Sequence, residues 1–236
     1  MDKNFFMRTQ LLLGNEGMEK LKSSKVAVFG VGGVGSFTVE ALARAGVGNL
    51  ILIDHDEIDI TNINRQIPAL HSTVGESKVE IMKNRILDIN PDINVVAHKK
   101  LYNKDSSHEL LSEKYDYVVD AIDMVSSKID LIEKCYNKGI NIISSMGMGN
   151  KLDPTKIEVS DIYKTHMCPL AKVMRRELKN RRIKKLKVVY STEKPIKPVI
   201  TISNDSKREV PGSISFVPSV GGLVIASVVV KDLVSL

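Results

Sequence analysis

The sequence predicts an α/β fold: a Rossmann-like, mostly parallel sheet with flanking helices, an irregular basic crossover segment and a C-terminal core helix. Three observations point there. Apolar runs of strand composition alternate with segments of helical spacing across residues 25–145, the pattern of a parallel sheet with crossover helices. The first run turns through Gly30-Val-Gly32-Gly33-Val-Gly35 directly into a helical segment. The most apolar stretch, residues 217–236, is broken by Pro218, Gly221, Gly222, Lys231 and Asp232. That leaves fewer than the roughly 20 consecutive apolar residues a membrane span needs, so no membrane span is expected and the stretch reads as a buried helix.

Each element has its own signal. Residues 25–29 (Lys-Val-Ala-Val-Phe) form the first strand, and 38–46 the helix after the glycines. Residues 50–54 form a second strand ending in Asp54. Helical spacing over 76–89 stops before Pro91, and 93–97 reads as a short strand. A modest helix is expected over 106–114 and a buried strand over 117–123. A helix over 126–138 ends where Gly139 can cap it. Residues 140–145 give the next strand, followed by the loop Gly147-Met-Gly149. The alternation then lapses. Residues 157–160 and 186–191 are strand candidates, and 169–180 is a basic amphipathic helix. Residues 192–211 are rich in Pro, Lys and Ser without periodicity, as in a mobile surface segment. A closing strand at 214–217 leads through Pro218 into the last helix.

The glycine turn lets backbone N–H groups and a helix N-terminus approach an anion without a side chain in the way. Asp54 stands about 20 residues further on, where a carboxylate accepts hydrogen bonds from ribose hydroxyls. A nicotinamide or flavin site would need no more. However, Asp54-His-Asp56 is followed by Asn62-Ile-Asn64-Arg65-Gln66 and by Gly75-Glu-Ser-Lys78. Those residues supply donors and positive charge suited to a triphosphate and to a departing pyrophosphate. Asp123 falls at the carboxyl end of its strand, where a carboxylate can hold the Mg²⁺ that accompanies ATP. The plainer alternative is that it caps the following helix. Asp120 is expected to be buried and to satisfy backbone donors.

Composition narrows the classes further. Hydrophobic residues make up 43% and charged residues 26%, ordinary for a globular chain. Two cysteines, Cys135 and Cys168, with no C-x-x-C pair, exclude a disulfide framework and a Cys₄ zinc site. Together with a first segment lacking a secretory apolar run, they lead us to expect a cytoplasmic protein. Net charge is +6. The excess crowds into Lys172, Arg175, Arg176, Lys179, Arg181, Arg182, Lys184, Lys185 and Lys187, with Glu177 the one acid among them. Such a run is either a solvated helix face or a surface for a polyanion.

In combination, several motifs resemble the ThiF/MoeB/ubiquitin-activating superfamily of carboxylate-adenylating enzymes. They are Arg8-Thr-Gln-Leu-Leu-Leu-Gly14, the glycine turn, Asp54-His-Asp56, Asn62-Ile-Asn64-Arg65-Gln66, Gly75-Glu-Ser-Lys78 and Asp120-Ala-Ile-Asp123. The resemblance implies a homodimer in which Arg8 reaches the partner's ATP. It also implies a ribose role for Asp54, phosphate roles for Arg65 and Lys78, and Mg²⁺ on Asp123. Residues 161–178, 188–195 and 212–222 resemble the tRNA threonylcarbamoyladenosine dehydratases within that superfamily. One departure is Cys168, where those relatives carry Asp before Pro-Leu-Ala. That likeness implies a tRNA substrate, which gives the basic run a partner. It further implies a monovalent cation near the glycines after Ser145, and it brings a cysteine desulfurase or sulfur-acceptor system into view as a partner. The expected layout is one ThiF-type domain over 1–236. Within it, residues 1–150 bind the nucleotide, 151–212 form the crossover and basic segment, and 213–236 supply the closing strand and helix. The rival expectations are an adenylyltransferase acting on a ubiquitin-like sulfur carrier, a nicotinamide oxidoreductase and a non-catalytic scaffold.

Overall fold

The computed structural model describes residues 5–200 and 210–236; the middle of the segment expected to be mobile, 201–209, lies outside them. Seven strands form one sheet: β1 (Lys25–Phe29), β2 (Asn49–Asp54), β3 (Asn94–Lys99), β4 (Tyr117–Asp120), β5 (Ile142–Ser145), β6 (Ile157–Asp161) and β7 (Lys187–Ser191). Their spatial order is β3-β2-β1-β4-β5-β7-β6, parallel throughout except that β6 runs antiparallel to β7. The chain winds outward from β1 to β3, then returns to β1's other edge with β4. The crevice beyond the carboxyl ends of β1 and β4 is therefore the topological switch point, where open α/β sheets bind ligands.

Burial explains the strands. Val26, Ala27, Val28 and Phe29 are all inaccessible to solvent, because helices cover both faces and no polar alternation is required. The helices are α1 (Met7–Ser23), α2 (Gly35–Ala45), α3 (Lys78–Ile89), the single turn α4 (Ser107–Leu110), α5 (Val125–Lys138), α6 (Pro169–Asn180) and α7 (Phe216–Leu233). Gly139 caps α5 in the left-handed conformation (φ 66°), as its sequence position implied.

Four expectations need correction. α1 had no counterpart among the elements expected from sequence; only Gly17 and Leu21 are buried along its 17 residues, too few to print a helical stripe. The helix expected over 106–114 shrinks to one turn. There Tyr115 Oη donates to the Leu110 carbonyl (2.9 Å) and Ser112 Oγ to that of Glu109 (2.7 Å), so side chains take acceptors that a longer helix would use. Strand β4 stops at Asp120, whose carboxylate accepts from the Ile122 N–H (3.2 Å) and bends the chain out of the sheet. No strand forms at 214–217. Instead α7 begins at Phe216 with Pro218 in its first turn, where a missing N–H costs no helical bond.

α7 is long and apolar enough to cross a membrane by composition alone. In the fold it is a core helix: Val217, Ile225 and Val229 are fully buried, and Thr38 Oγ1 of α2 donates to the Gly222 carbonyl (3.0 Å). A Cβ on Gly222 would lie 2.3 Å from the Val34 carbonyl oxygen, so the glycine that breaks the apolar run is what lets α2 and α7 touch.

Candidate active site

A cleft of about 850 Å³ opens at the switch point. Its near wall carries Gly30, Gly32, Gly33, Asp54, Asp56, Arg65, Gln66, Lys78 and Asp123, nearly all of the nucleotide-binding residues expected from sequence. The four glycines divide by task. Gly30 (φ 89°) and Gly35 shape the turn, since a Cβ on Gly35 would fall 1.8 Å from the Gly30 carbonyl oxygen. Gly32 and Gly33 line the cleft, whereas Gly35 lies behind it as the first residue of α2.

Asp54, 8% exposed, braces this turn. Its Oδ2 accepts from the Val31 N–H (2.6 Å) and its Oδ1 from the Asp56 N–H (2.9 Å). The lone pairs left over are what a ribose could use. Lys78, buried at the start of α3, donates to Asp56 Oδ2 (2.6 Å). Arg65 Nη1 donates to the Thr61 carbonyl and to Asn64 Oδ1, each at 2.9 Å, which fixes the guanidinium while leaving most of its donors available. Asn64 Nδ2 in turn donates to the Ser213 carbonyl (3.0 Å). Asn62 does not line the cleft. It is buried, and its Oδ1 accepts from the Asp59 N–H (3.3 Å) in a capping box around a short 3₁₀ turn. Gln66 is buried with Oε1 unpartnered among the described residues, leaving an acceptor available to a ligand.

Asp123 does not cap α5, whose N-cap is Met124 without a side-chain bond. Solvent reaches its carboxylate from the cleft, yet it sits below the general protein surface. Desolvation there pushes its pKa above the usual carboxylate range, against the opposing pull of Lys128, Lys78 and Arg65. Lys128 is a residue that sequence reasoning missed. Its Nζ, 1% exposed, donates to Asp120 Oδ2 (2.8 Å), the Ser145 carbonyl (2.9 Å) and Ser144 Oγ (3.2 Å). A lysine eight positions after a strand-ending Asp, facing the sheet from α5, was the available signal.

The far wall is built from residues 146–151, 168–170 and 210–213. Asn150 adopts φ 59° and ties the wall together: its N–H donates to the Gly212 carbonyl (2.8 Å) and its carbonyl accepts from the Ile196 N–H (2.8 Å). Cys168, 3% exposed, precedes α6 and is buried like Cys135. Lys151, 3% exposed, donates from Nζ to the Ser191 carbonyl (3.0 Å), and burial holds its pKa below the ordinary lysine value.

Two groups of expected residues lie elsewhere. Arg8 is exposed on α1, outside the cleft lining. Along α6, Lys172, Arg176 and Lys179 are exposed, as are Arg181 and Arg182 just beyond it. Arg175 is tied to Thr165 through its carbonyl (2.9 Å) and hydroxyl (2.5 Å). Arg181 pairs with Glu177 (3.0 Å) and Glu133 (3.3 Å). The run therefore mixes solvent-facing charge with local scaffolding.

Comparison with known proteins places the family and the fold. The profile of the ThiF family matches residues 7–235. A tRNA threonylcarbamoyladenosine dehydratase of Bacillus subtilis is 48% identical over 97% of this chain and 94% of its own length. The crystal structure of the Escherichia coli tRNA threonylcarbamoyladenosine dehydratase in complex with ATP superposes with a TM-score of 0.89 at 35% identity, covering 98% of this chain and 93% of that one. An adenylyltransferase and sulfurtransferase of Saccharomyces cerevisiae is 32% identical, but over 66% of this chain and 35% of its own length.

Proposed function

This chain belongs to the ThiF family, and from that premise we propose that it is an ATP-dependent tRNA threonylcarbamoyladenosine dehydratase. It converts the threonylcarbamoyl group of a tRNA adenosine next to the anticodon into a ring with net loss of water. The observation that carries this is the convergence of the glycine turn, Arg65, Lys78 and Asp123 on one wall of a cleft whose opposite wall is shaped by the crossover segment.

The chemistry divides between the walls. A carboxylate oxygen of the substrate attacks the α-phosphorus of ATP. The bond to pyrophosphate breaks, and an acyl-adenylate forms. A nitrogen of the same substituent then attacks the activated carbonyl carbon, losing its proton as AMP departs with the original carboxylate oxygen. The second step is intramolecular, and holding the nucleophile beside its target is worth ~7–11 kcal/mol in favourable cases. No enzyme nucleophile is required, in keeping with two buried cysteines.

Gly32 and Gly33 offer backbone approach to the phosphates, and Arg65 and Lys78 neutralise the charge that develops as pyrophosphate leaves. Asp54 accepts from the ribose. Asp123 fits a Mg²⁺ site: it is a solvent-reached carboxylate without a protein partner among the described residues, beside the phosphate-binding cations. Bound there, Mg²⁺ would supply further charge neutralisation on the phosphates. A monovalent cation would take carbonyl oxygens of the loop after Ser145.

We read residues 1–236 as one cytoplasmic domain acting as a homodimer. Leu11 and Leu12 on α1 and Leu223 on α7 are 64%, 85% and 47% exposed, apolar surface of the kind a second copy would cover. In such a dimer Arg8 would reach the partner's nucleotide. Lys172, Arg176, Lys179 and Arg182 would follow the tRNA phosphates. Exchange of Arg65 or Asp123 for Ala tests the assignment: ring closure should vanish while size-exclusion behaviour stays that of the parent. Full activity in either variant would move the active site elsewhere.

A further inference from the structure

Among the described residues, four lysine and arginine side chains line the cleft: Arg65, Lys78, Lys100 and Lys151. Three have a place in the nucleotide half or a partner at its rim. Lys78 is paired with Asp56, Arg65 is held by Thr61 and Asn64, and exposed Lys100 bridges to Glu109. Lys151 differs from all of them. It is 3% exposed, and its one hydrogen bond among the described residues goes to the Ser191 carbonyl. No carboxylate there pairs with it.

The nearby acid is occupied. Glu193 accepts from the Leu152 N–H (3.1 Å) and the Asp153 N–H (2.9 Å), holding the backbone that carries Lys151 in place. Buried ammonium groups are ordinarily paired with an anion, because desolvation is costly without one. Lys128 shows the usual solution in this fold, with three oxygen partners including Asp120. Lys151 has two donors to spare and no ion-pair partner among the described residues; Glu193 acts on it only at longer range, and it stands on the wall opposite the glycine turn.

We propose that Lys151 is the counter-charge for the substrate's free carboxylate, receiving it on the far wall and presenting it to the α-phosphorus. This rests on the dehydratase reading given above. The reaction brings two anions into the cleft; Arg65 and Lys78 serve the triphosphate, and Lys151 is the buried cation left for the carboxylate. A carboxylate docked on Nζ would offset the desolvation that depresses the lysine's pKa. When its oxygen bonds to phosphorus and pyrophosphate leaves, the acid loses its charge and the pairing weakens. The acyl group is then released from the wall for ring closure, and Lys151 keeps its proton throughout. Lys151 is thus a substrate-positioning residue.

The experiment compares the full-length enzyme with Lys151→Gln and Lys151→Arg. Gln retains a donor for the Ser191 carbonyl, and Arg retains the charge. Binding of the nucleoside threonylcarbamoyladenosine is measured by calorimetry beside a non-hydrolysable ATP analogue, and steady-state kinetics are run on modified tRNA. Losing a charge-assisted pair should weaken nucleoside binding and raise KM for tRNA by ~10–100-fold. Affinity for the ATP analogue should stay within about twofold, and Lys151→Arg should recover most of the loss. Nucleoside affinity unchanged in Lys151→Gln, or a loss shared equally by the ATP analogue, would overturn the proposal. So would a parent enzyme that does not bind the nucleoside. A parent that binds the nucleoside but never dehydrates tRNA would instead overturn the dehydratase reading, leaving the anion site in place.

Discussion

Replacing Lys128 by Met removes the positive half of a buried pair while roughly conserving volume. In the parent, Asp120 is 0% exposed and its Oδ2 accepts from Lys128 Nζ (2.8 Å) and Ser144 Oγ (2.6 Å). Without the ammonium the carboxylate is either stranded as a charge or protonated, and the Ser145 carbonyl loses its donor. Breaking one partner of a buried pair costs ~3–5 kcal/mol. For a chain of this length that corresponds to a fall in melting temperature of roughly 6–20 °C. Differential scanning calorimetry at neutral pH reads the loss, and urea titration gives it independently. The double variant Lys128→Met with Asp120→Asn should recover some of it, because no unpaired charge then remains. The Asp120 carboxylate also sets the turn carrying Ile122 and Asp123, so activity should fall with stability in the single variant. A Lys128→Met protein within about 1 kcal/mol of the parent would refute the reasoning.

The other expectations are more local. Gly35→Ala places a Cβ 1.8 Å from the Gly30 carbonyl oxygen; the turn must move, and calorimetry should find ATP binding lost. Arg176→Glu with Lys179→Glu should weaken tRNA binding, and the slope of log affinity against log salt should flatten by about 1–2. An unchanged slope would make the helix face merely solvated. Cys135 is buried, and desolvation pushes its thiol up to about 12 from 9.0. Tyr115 is raised to about 12 from 10.0 by the same cause. Both stay neutral in the fold while ionising in the unfolded chain, so their contribution is complete below pH 9 and lost as pH rises towards 12. For Cys135 the loss is on the order of 4 kcal/mol, readable as a falling urea midpoint in that window. A midpoint flat to pH 12 would contradict it.

Much of the near wall was legible because its requirements are local. A glycine turn, a strand-ending Asp and a basic residue at a helix start each print themselves in a few adjacent letters, as Gly30, Asp54 and Lys78 did. The positions of the first five strands along the chain followed from the same alternation. What escaped depends on which partner a side chain takes once the chain is folded. Asn62 reads like a phosphate donor, but its oxygen caps a 3₁₀ turn three residues back. Arg175 belongs to a run of cations yet is tied to Thr165 across ten residues. Lys151 is silent in sequence, because nothing local distinguishes a buried lysine from an exposed one. α1 was invisible because only Gly17 and Leu21 are buried along it, and the strand expected at 214–217 yielded to a helix that tolerates Pro218 in its first turn.

The sharpest test follows one oxygen atom. Modified tRNA carrying a heavy-oxygen label in the threonylcarbamoyl carboxylate is incubated with the enzyme and ATP, and the products are separated by mass spectrometry. The nucleoside should lose one molecule of water, with the label appearing in AMP and pyrophosphate formed in equal amount. Label recovered in inorganic phosphate, with ADP as the nucleotide product, would show that the acid is activated at the γ-phosphorus and that the cleft does not adenylate.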